Sequence, residues 1–204
     1  IVEGILWAVN NGADVINMSI SSNGYSRALH DAVEYALERN VVVVAAAGNE
    51  YKFNDNVYPA AFPGVISVGA INGRNEKAEF STEGSHVFLA APGDAIYSTL
   101  PSERYGYKKG TSMAAAFVSG AVALIKSKWP ELDVSGIQSQ LRQTVDDHGI
   151  SGWDQQTGWG VLNLGEALAI QKPNIFGNLI INVDNGTGQA VDFARLLVKD
   201  DAGR

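Results

Sequence analysis

Short uncharged runs alternating with helix-like stretches predict an α/β protein: a doubly wound, mainly parallel sheet with helices on both faces. Two observations carry this expectation. The runs "VVVVAAAG", "VISVGA" and "VFLAAPG", with "ADVINMSI" before them, have little of the polar alternation of a half-exposed strand, as strands covered on both faces require. The segments between and after them repeat apolar residues at helical spacing.

In chain order, residues 2–10 read as a helix that passes through Asn11-Gly12 into the first strand, because Asn-Gly breaks a helix. The amphipathic stretch "YSRALHDAVEYALERN" reads as a second helix feeding the strand at 41–48. Residues 65–70 and 87–93 are the next strands, the last ended by Pro92-Gly93. A helix then runs from Ser112 to about Lys128, another spans 133–146, and a short one spans 163–170. Past Pro173 the character changes, with two β-like runs around Asp184-Asn185-Gly186, a hairpin-type turn signal. The chain is therefore read as one domain over residues 1–172. Residues 173–204 are read as a C-terminal extension or the start of an appended β module.

A chain of 204 residues with 46% hydrophobic and 18% charged residues has the size and composition of one globular domain with a sizeable core. Its net charge of −7 argues against nucleic acid or an anionic membrane as partner, since both select clustered Lys and Arg. The absence of cysteine excludes disulfides, thiolate metal sites and cysteine nucleophiles, and leaves the redox compartment open. The first residues, "IVEGILWAVNNGADV", carry neither a basic n-region nor a small-residue cleavage site; they read as the interior of a longer protein.

The most informative stretch is "KKGTSMAAAFVSGAVALI". Its uncharged part, from Gly110 to Ile125, is shorter than the roughly 20 residues a membrane span needs, so it reads as a core helix. Ser112 or Thr111 could simply cap that helix, since a hydroxyl there accepts from a free backbone N–H. Alternatively, Ser112 is a nucleophile at a helix N-terminus, where the dipole and free N–H groups favour developing negative charge. A phosphate loop is excluded because "GYKKGTS" lacks a Lys directly after its second Gly. Asn49, after a strand, is by itself a turn residue tolerant of left-handed backbone.

Taken together and in this order, "VINMS", "AAAGNE", "YPAAFPGVISVGA", "LAAPG", "GTSMA" and "GWGVLNLGEAL" closely resemble the subtilisin-like serine peptidases, over about residues 1–170. The resemblance implies a subtilisin-like fold and a serine endopeptidase acting on polypeptides. It makes Ser112 the acyl-transfer nucleophile and gives Asn49 and the Ser112 N–H to the oxyanion hole. It assigns Ser19, Ile20 and Ser21 to the edge that pairs with an extended peptide. Ala46, Ala47 and Gly48 fall in a wall of the pocket for the residue before the scissile bond, and Thr111 among the substrate contacts. Met113 follows the nucleophile as in the family. An extracellular or cell-envelope location is implied on the same ground.

The family order of triad residues is Asp, His, Ser, so the resemblance places the Asp and His upstream of Ile1, in a missing N-terminal segment of the same protein. His30, His86 and His148 read as structural or surface residues rather than substitutes. Other departures are Ala116 and Phe117 where the family usually has Pro and His, and Ser21 and Ser22 where it has Gly. Calcium is the one cofactor the family admits, yet Phe88 stands where many members carry a cation-holding Asp. The competing reading is a non-catalytic subtilase-like domain, a pseudoenzyme or peptide-binding scaffold.

Overall fold

The structure, a computed structural model, describes residues 1–169. The expected boundary at 172/173 and the β-like runs beyond it lie outside the described residues. Within them the chain runs α1 (Val2–Asn10), β1 (Val15–Met18), α2 (Arg27–Glu38), β2 (Val42–Ala46), β3 (Ile66–Ile71), β4 (Leu89–Pro92), β5 (Ile96–Leu100), β6 (Arg104–Lys108), α3 (Thr111–Lys128), α4 (Val134–Thr144) and α5 (Leu164–Ala169).

Strands β1 to β4 form one parallel sheet in sequence order, with Val15 opposite Val42, Val44 opposite Ile66 and Val68 opposite Leu89. The unbroken valine run of β2 is explained by what covers it. Val42, Val44 and Ala46 join a core with α3 and α4, whereas Val43 and Ala45 join a second core with α1 and α2. Because strand side chains alternate between faces, a strand buried on both sides has no place for a polar residue. Side-chain caps fix two helix starts: Ser26 Oγ accepts from Leu29 N at 3.3 Å, and Asp133 Oδ1 accepts from Gly136 N at 2.7 Å. On the outer side of β4, Ala90 N donates to Gly160 O and Leu162 N to Ala90 O, so residues 158–162 close that edge.

The antiparallel pair β5–β6 is not among the elements read from the sequence. Its turn, with Ser102 and Glu103 both at positive φ (64° and 55°), lacks the Asn-Gly or Asp-Gly that would signal such backbone. The rest of the hairpin is aromatic and β-prone, with Tyr97 opposite Tyr107 and Thr99 opposite Tyr105.

Helix α3 positions the site. It contacts all four parallel strands and buries Ala114, Ala115, Val118, Ala121, Val122 and Ile125. The small residues near its start permit close approach. Gly93 N bonds Ile71 O, and Gly110 N bonds Gly93 O at 2.8 Å. A Cβ on Gly93 would lie 2.6 Å from Ala70 Cβ and 2.9 Å from Gly110 O. Neither neighbour is the end of a flexible side chain, so the space cannot open without moving β3 or the start of α3. Gly93→Ala is expected to destabilise the protein by about 1–3 kcal/mol. Gly120→Ala, on the same helix with nothing within 4 Å, is expected to stabilise by about 0.5–1 kcal/mol. Denaturant unfolding of the two variants checks the opposite signs; a neutral Gly93→Ala would show that α3 is not tightly seated.

Candidate active site

The carboxyl ends of β1 and β2 and the N-terminus of α3 meet at one place, the end of a parallel sheet where ligands usually bind. Ser112 is the second residue of α3, and Gly110 is its N-cap with no side-chain cap bond. The capping reading of Ser112 and Thr111 is thus corrected: the helix begins on a glycine at φ 148°, and both hydroxyls are spent elsewhere.

The Ser112 hydroxyl donates to Ser19 O at 3.3 Å, and the Ser19 hydroxyl donates to Ser112 O at 2.9 Å. Asn17 Nδ2 in turn donates to Ser19 Oγ at 2.9 Å, holding that side chain in place. The end of β1 and the first turn of α3 are therefore tied reciprocally.

Asn49 Oδ1 accepts from Thr111 N at 2.9 Å and from Thr111 Oγ1 at 3.0 Å. A backbone N–H can only donate, so the oxygen of the amide must face Thr111 and its NH₂ must face away. Both Asn49 Nδ2 and Ser112 N lie close to one point beside Gly110: a Cβ built there would be 3.5 Å from the first and 3.7 Å from the second. Ser112 N lies in the first turn, where no intrahelical acceptor exists. The two expected donors thus share one neighbourhood beside Gly110.

The resemblance puts Thr111 among substrate contacts; in the structure it is fully buried. Its hydroxyl accepts from Gly48 N at 3.2 Å as well as donating to Asn49, which uses both capacities of the group. Gly48 sits at φ 108°, and a Cβ there would be 2.9 Å from Thr82 Oγ1 and 3.3 Å from Val57 Cγ1, so this turn requires glycine. Thr82 N donates to Gly48 O and Thr82 Oγ1 accepts from Glu50 N, both at 3.0 Å. Nothing in the sequence around Thr82 signals this; only the fold brings it to the 46–50 turn.

Ala46 and Ala47 are buried, while Ile20 and Ser21 are exposed just beyond the paired part of β1. The segment that follows is anchored by paired backbone bonds between Ser22 and Tyr58, at 2.9 and 2.8 Å. A groove of about 530 Å³ runs from Ser19, Ser112 and Met113 to Phe117 on α3 and Tyr97 and Thr99 on β5.

No histidine among the described residues bonds Ser112. His30 packs on Tyr25 and Phe62, and His148 lines a separate groove with Ile150 and Trp153. His86 Nε2 lies 3.2 Å from Ala47 O. Burial holds its pKa below the ordinary histidine value, against the opposing pull of that carbonyl and of Asp55. The Glu50 carboxyl is kept below the usual range by hydrogen bonds from Asn23 and Asn54.

At the position where the family admits a cation, Phe88 offers only carbon, so the residue there does not fit a metal. Among the described residues one group, His30, Asp31 and Glu34 on α2, brings possible ligand atoms within 4.8 Å of one another. Asp31 is already paired with Arg27 at 2.7 Å.

Over 170 residues the chain is 44% identical to subtilisin DY of Bacillus licheniformis, covering 82% of this chain and 61% of that protein. It is 38% identical over 162 residues to the minor extracellular protease Epr of Bacillus subtilis, covering 79% of this chain and 25% of that one. The crystal structure of fervidolysin from Fervidobacterium pennivorans, a keratinolytic enzyme related to subtilisin, superposes with a TM-score of 0.76 at 36% identity. That match covers 84% of this chain and 29% of fervidolysin. The chain therefore spans less than two thirds of each of these relatives. The family model of the Subtilase family matches residues 1–160, and the chain belongs to that family of subtilisin-like serine peptidases.

Proposed function

We propose that the complete protein is a serine endopeptidase that cleaves polypeptides through an acyl-enzyme on Ser112. Ser112 Oγ attacks the scissile carbonyl carbon while its proton passes to a histidine. The oxyanion so formed is stabilised by Asn49 Nδ2 and Ser112 N. The histidine then returns the proton to the leaving amine as the C–N bond breaks, and water repeats the sequence to release the acid. The observation that carries this reading is the pair of hydrogen bonds from Thr111 N and Oγ1 to Asn49 Oδ1, which turns the amide nitrogen away from Thr111, near Gly110 as Ser112 N is. The Ser112–Ser19 contact, at 3.3 Å, is long for a hydroxyl donor and is released at little cost when a base approaches. Ser19 to Ser21 pair with the extended substrate and Ala46 to Gly48 wall the pocket for the residue before the cleaved bond.

The histidine and its aspartate come, in this reading, from a segment upstream of Ile1. Two features support it. No strand among the described residues pairs with the outer edge of β1. On α3, Phe117 and Leu124, seven residues apart on one face, are 47% and 48% exposed, as an apolar stripe awaiting a neighbour would be. A location outside the cell is inferred from the relative called an extracellular protease.

Three measurements test the reading. In the complete protein Ser112→Ala abolishes casein hydrolysis, and residues 1–204 alone turn over no substrate. A fragment that cleaves at an ordinary rate would overturn the need for an upstream base. Asn49→Leu lowers kcat about 10²- to 10³-fold with little change in KM, the range for removing one such donor in a subtilisin. Normal kcat with a lowered melting temperature would reduce Asn49 to a structural residue. Peroxide is expected to cut turnover as Met113, which lines the groove beside Ser112, becomes a polar sulfoxide. Met18, 5% exposed, oxidises far more slowly. Met113→Ala should keep substantial activity and resist peroxide; full oxidation of Met113 without loss of turnover would remove it from the cleft.

A further inference from the structure

His86 touches the pocket wall without touching the nucleophile. Its Nε2 is 3.2 Å from Ala47 O, and a carbonyl can only accept, so the ring carries a proton on Nε2. Its Nδ1 is buried and has no partner among the described residues. A doubly protonated ring would strand a buried N–H there, so the surroundings favour the neutral ring with its proton on Nε2. The loop before it leaves little freedom: a Cβ on Gly84 would be 2.7 Å from Nδ1, so the Gly84 backbone lies close against the ring.

Ala47 N bonds Val68 O at 3.0 Å, tying the wall to β3. Gly48 is tied to Thr111 and Thr82. The wall meets the loop leading into β4 at two points, Gly48 O with Thr82 N and the Ala47 carbonyl, whose donor is His86. The nucleophile frame is held by Ser19 and Thr111 and joins this wall at Gly48, through its N–H to Thr111 Oγ1, rather than at the Ala47 carbonyl that His86 holds.

We propose that His86 is a positioning residue for the substrate pocket: its Nε2–H holds the Ala47 carbonyl and so fixes wall 46–48 against the side chain preceding the cleaved bond. This rests on the reading of that wall given above. A bulky substrate side chain presses on the wall and a small one does not. Loss of the donor therefore raises KM selectively for substrates with a large residue before the scissile bond and leaves kcat close to its original value.

The test uses the complete protein and two peptide series, with Phe or Ala before the cleaved bond. His86→Phe keeps a ring but loses the donor. His86→Asn has an amide too short to reach Ala47, and His86→Gln restores a donor near the Nε2 position. In the first two variants KM for the Phe series rises about five- to tenfold, the size of one lost hydrogen bond, while the Ala series changes less than about twofold. His86→Gln recovers most of the difference. Unchanged KM for the Phe series, or equal losses of kcat in both series that track the melting temperature, overturns the proposal. Ring-nitrogen chemical shifts of His86 at neutral pH give a readout that needs no turnover. A neutral ring protonated on Nε2 supports the proposal, and one protonated on Nδ1 overturns it even if Ser112→Ala is inactive. Failure of the catalytic reading registers separately, as turnover surviving Ser112→Ala.

Discussion

The Asn49 carboxamide oxygen is the point on which the site depends, because it accepts both the backbone N–H and the hydroxyl of Thr111. One residue at the start of α3 thereby fixes the turn after β2. The same hydroxyl accepts from Gly48 N, so pocket turn, amide and helix start form a single bonded unit. Its rigidity follows from burial. Thr111 is inaccessible to water, and breaking any of these bonds would leave a polar group unpaired in the interior, at about 1–3 kcal/mol each. The amide is thus held without a charge and without a direct bond to Ser112 Oγ.

That unit can form only if α3 comes very near the sheet, and the small residues there make the approach possible. Gly93, Ala70 and Ala114 meet where any larger group would push the helix outward. Farther along, Val118, Val122 and Ile125 are fully buried and contribute roughly 1.5–3 kcal/mol each through removal from water. The helix is therefore divided by function. Its apolar middle supplies the burial that seats it, and in its first turn the Thr111 N–H is taken by Asn49 while the Ser112 N–H has no intrahelical acceptor.

Most of this architecture is legible in the sequence because it rests on local patterns. The valine run of β2 announces a doubly covered strand, and Gly-Thr-Ser before an alanine-rich stretch announces a helix start. The hairpin β5–β6 escapes because its turn uses Ser102 and Glu103 in left-handed backbone, a conformation those residues do not advertise. The supporting contacts of Thr111, Thr82 and His86 escape for another reason. Each acts by reaching residues 32 to 63 positions away, and no spacing rule carries a contact of that length. Thr111 shows the limit most clearly: the resemblance implies a substrate contact there, and its buried bonds to Gly48 and Asn49 become visible only in the fold.

The groups hydrogen-bonded to Ser112 and Thr111 are neutral: hydroxyls, a carboxamide and backbone N–H and C=O groups. Such donors offer the same hydrogen bonds at any pH where the fold persists, so in the proposed mechanism the titrating step belongs to the histidine base alone. A neutral, prearranged half also need not reorganise as the oxyanion forms, which is the condition under which hydrogen bonds favour a transition state over the ground state. In the proposed mechanism the chain holds Ser112, its N–H and the Asn49 amide in place while a separate segment supplies the acid–base group. In that mechanism the Ser112 hydroxyl gives up its long bond to Ser19 O, at 3.3 Å, when the histidine base approaches.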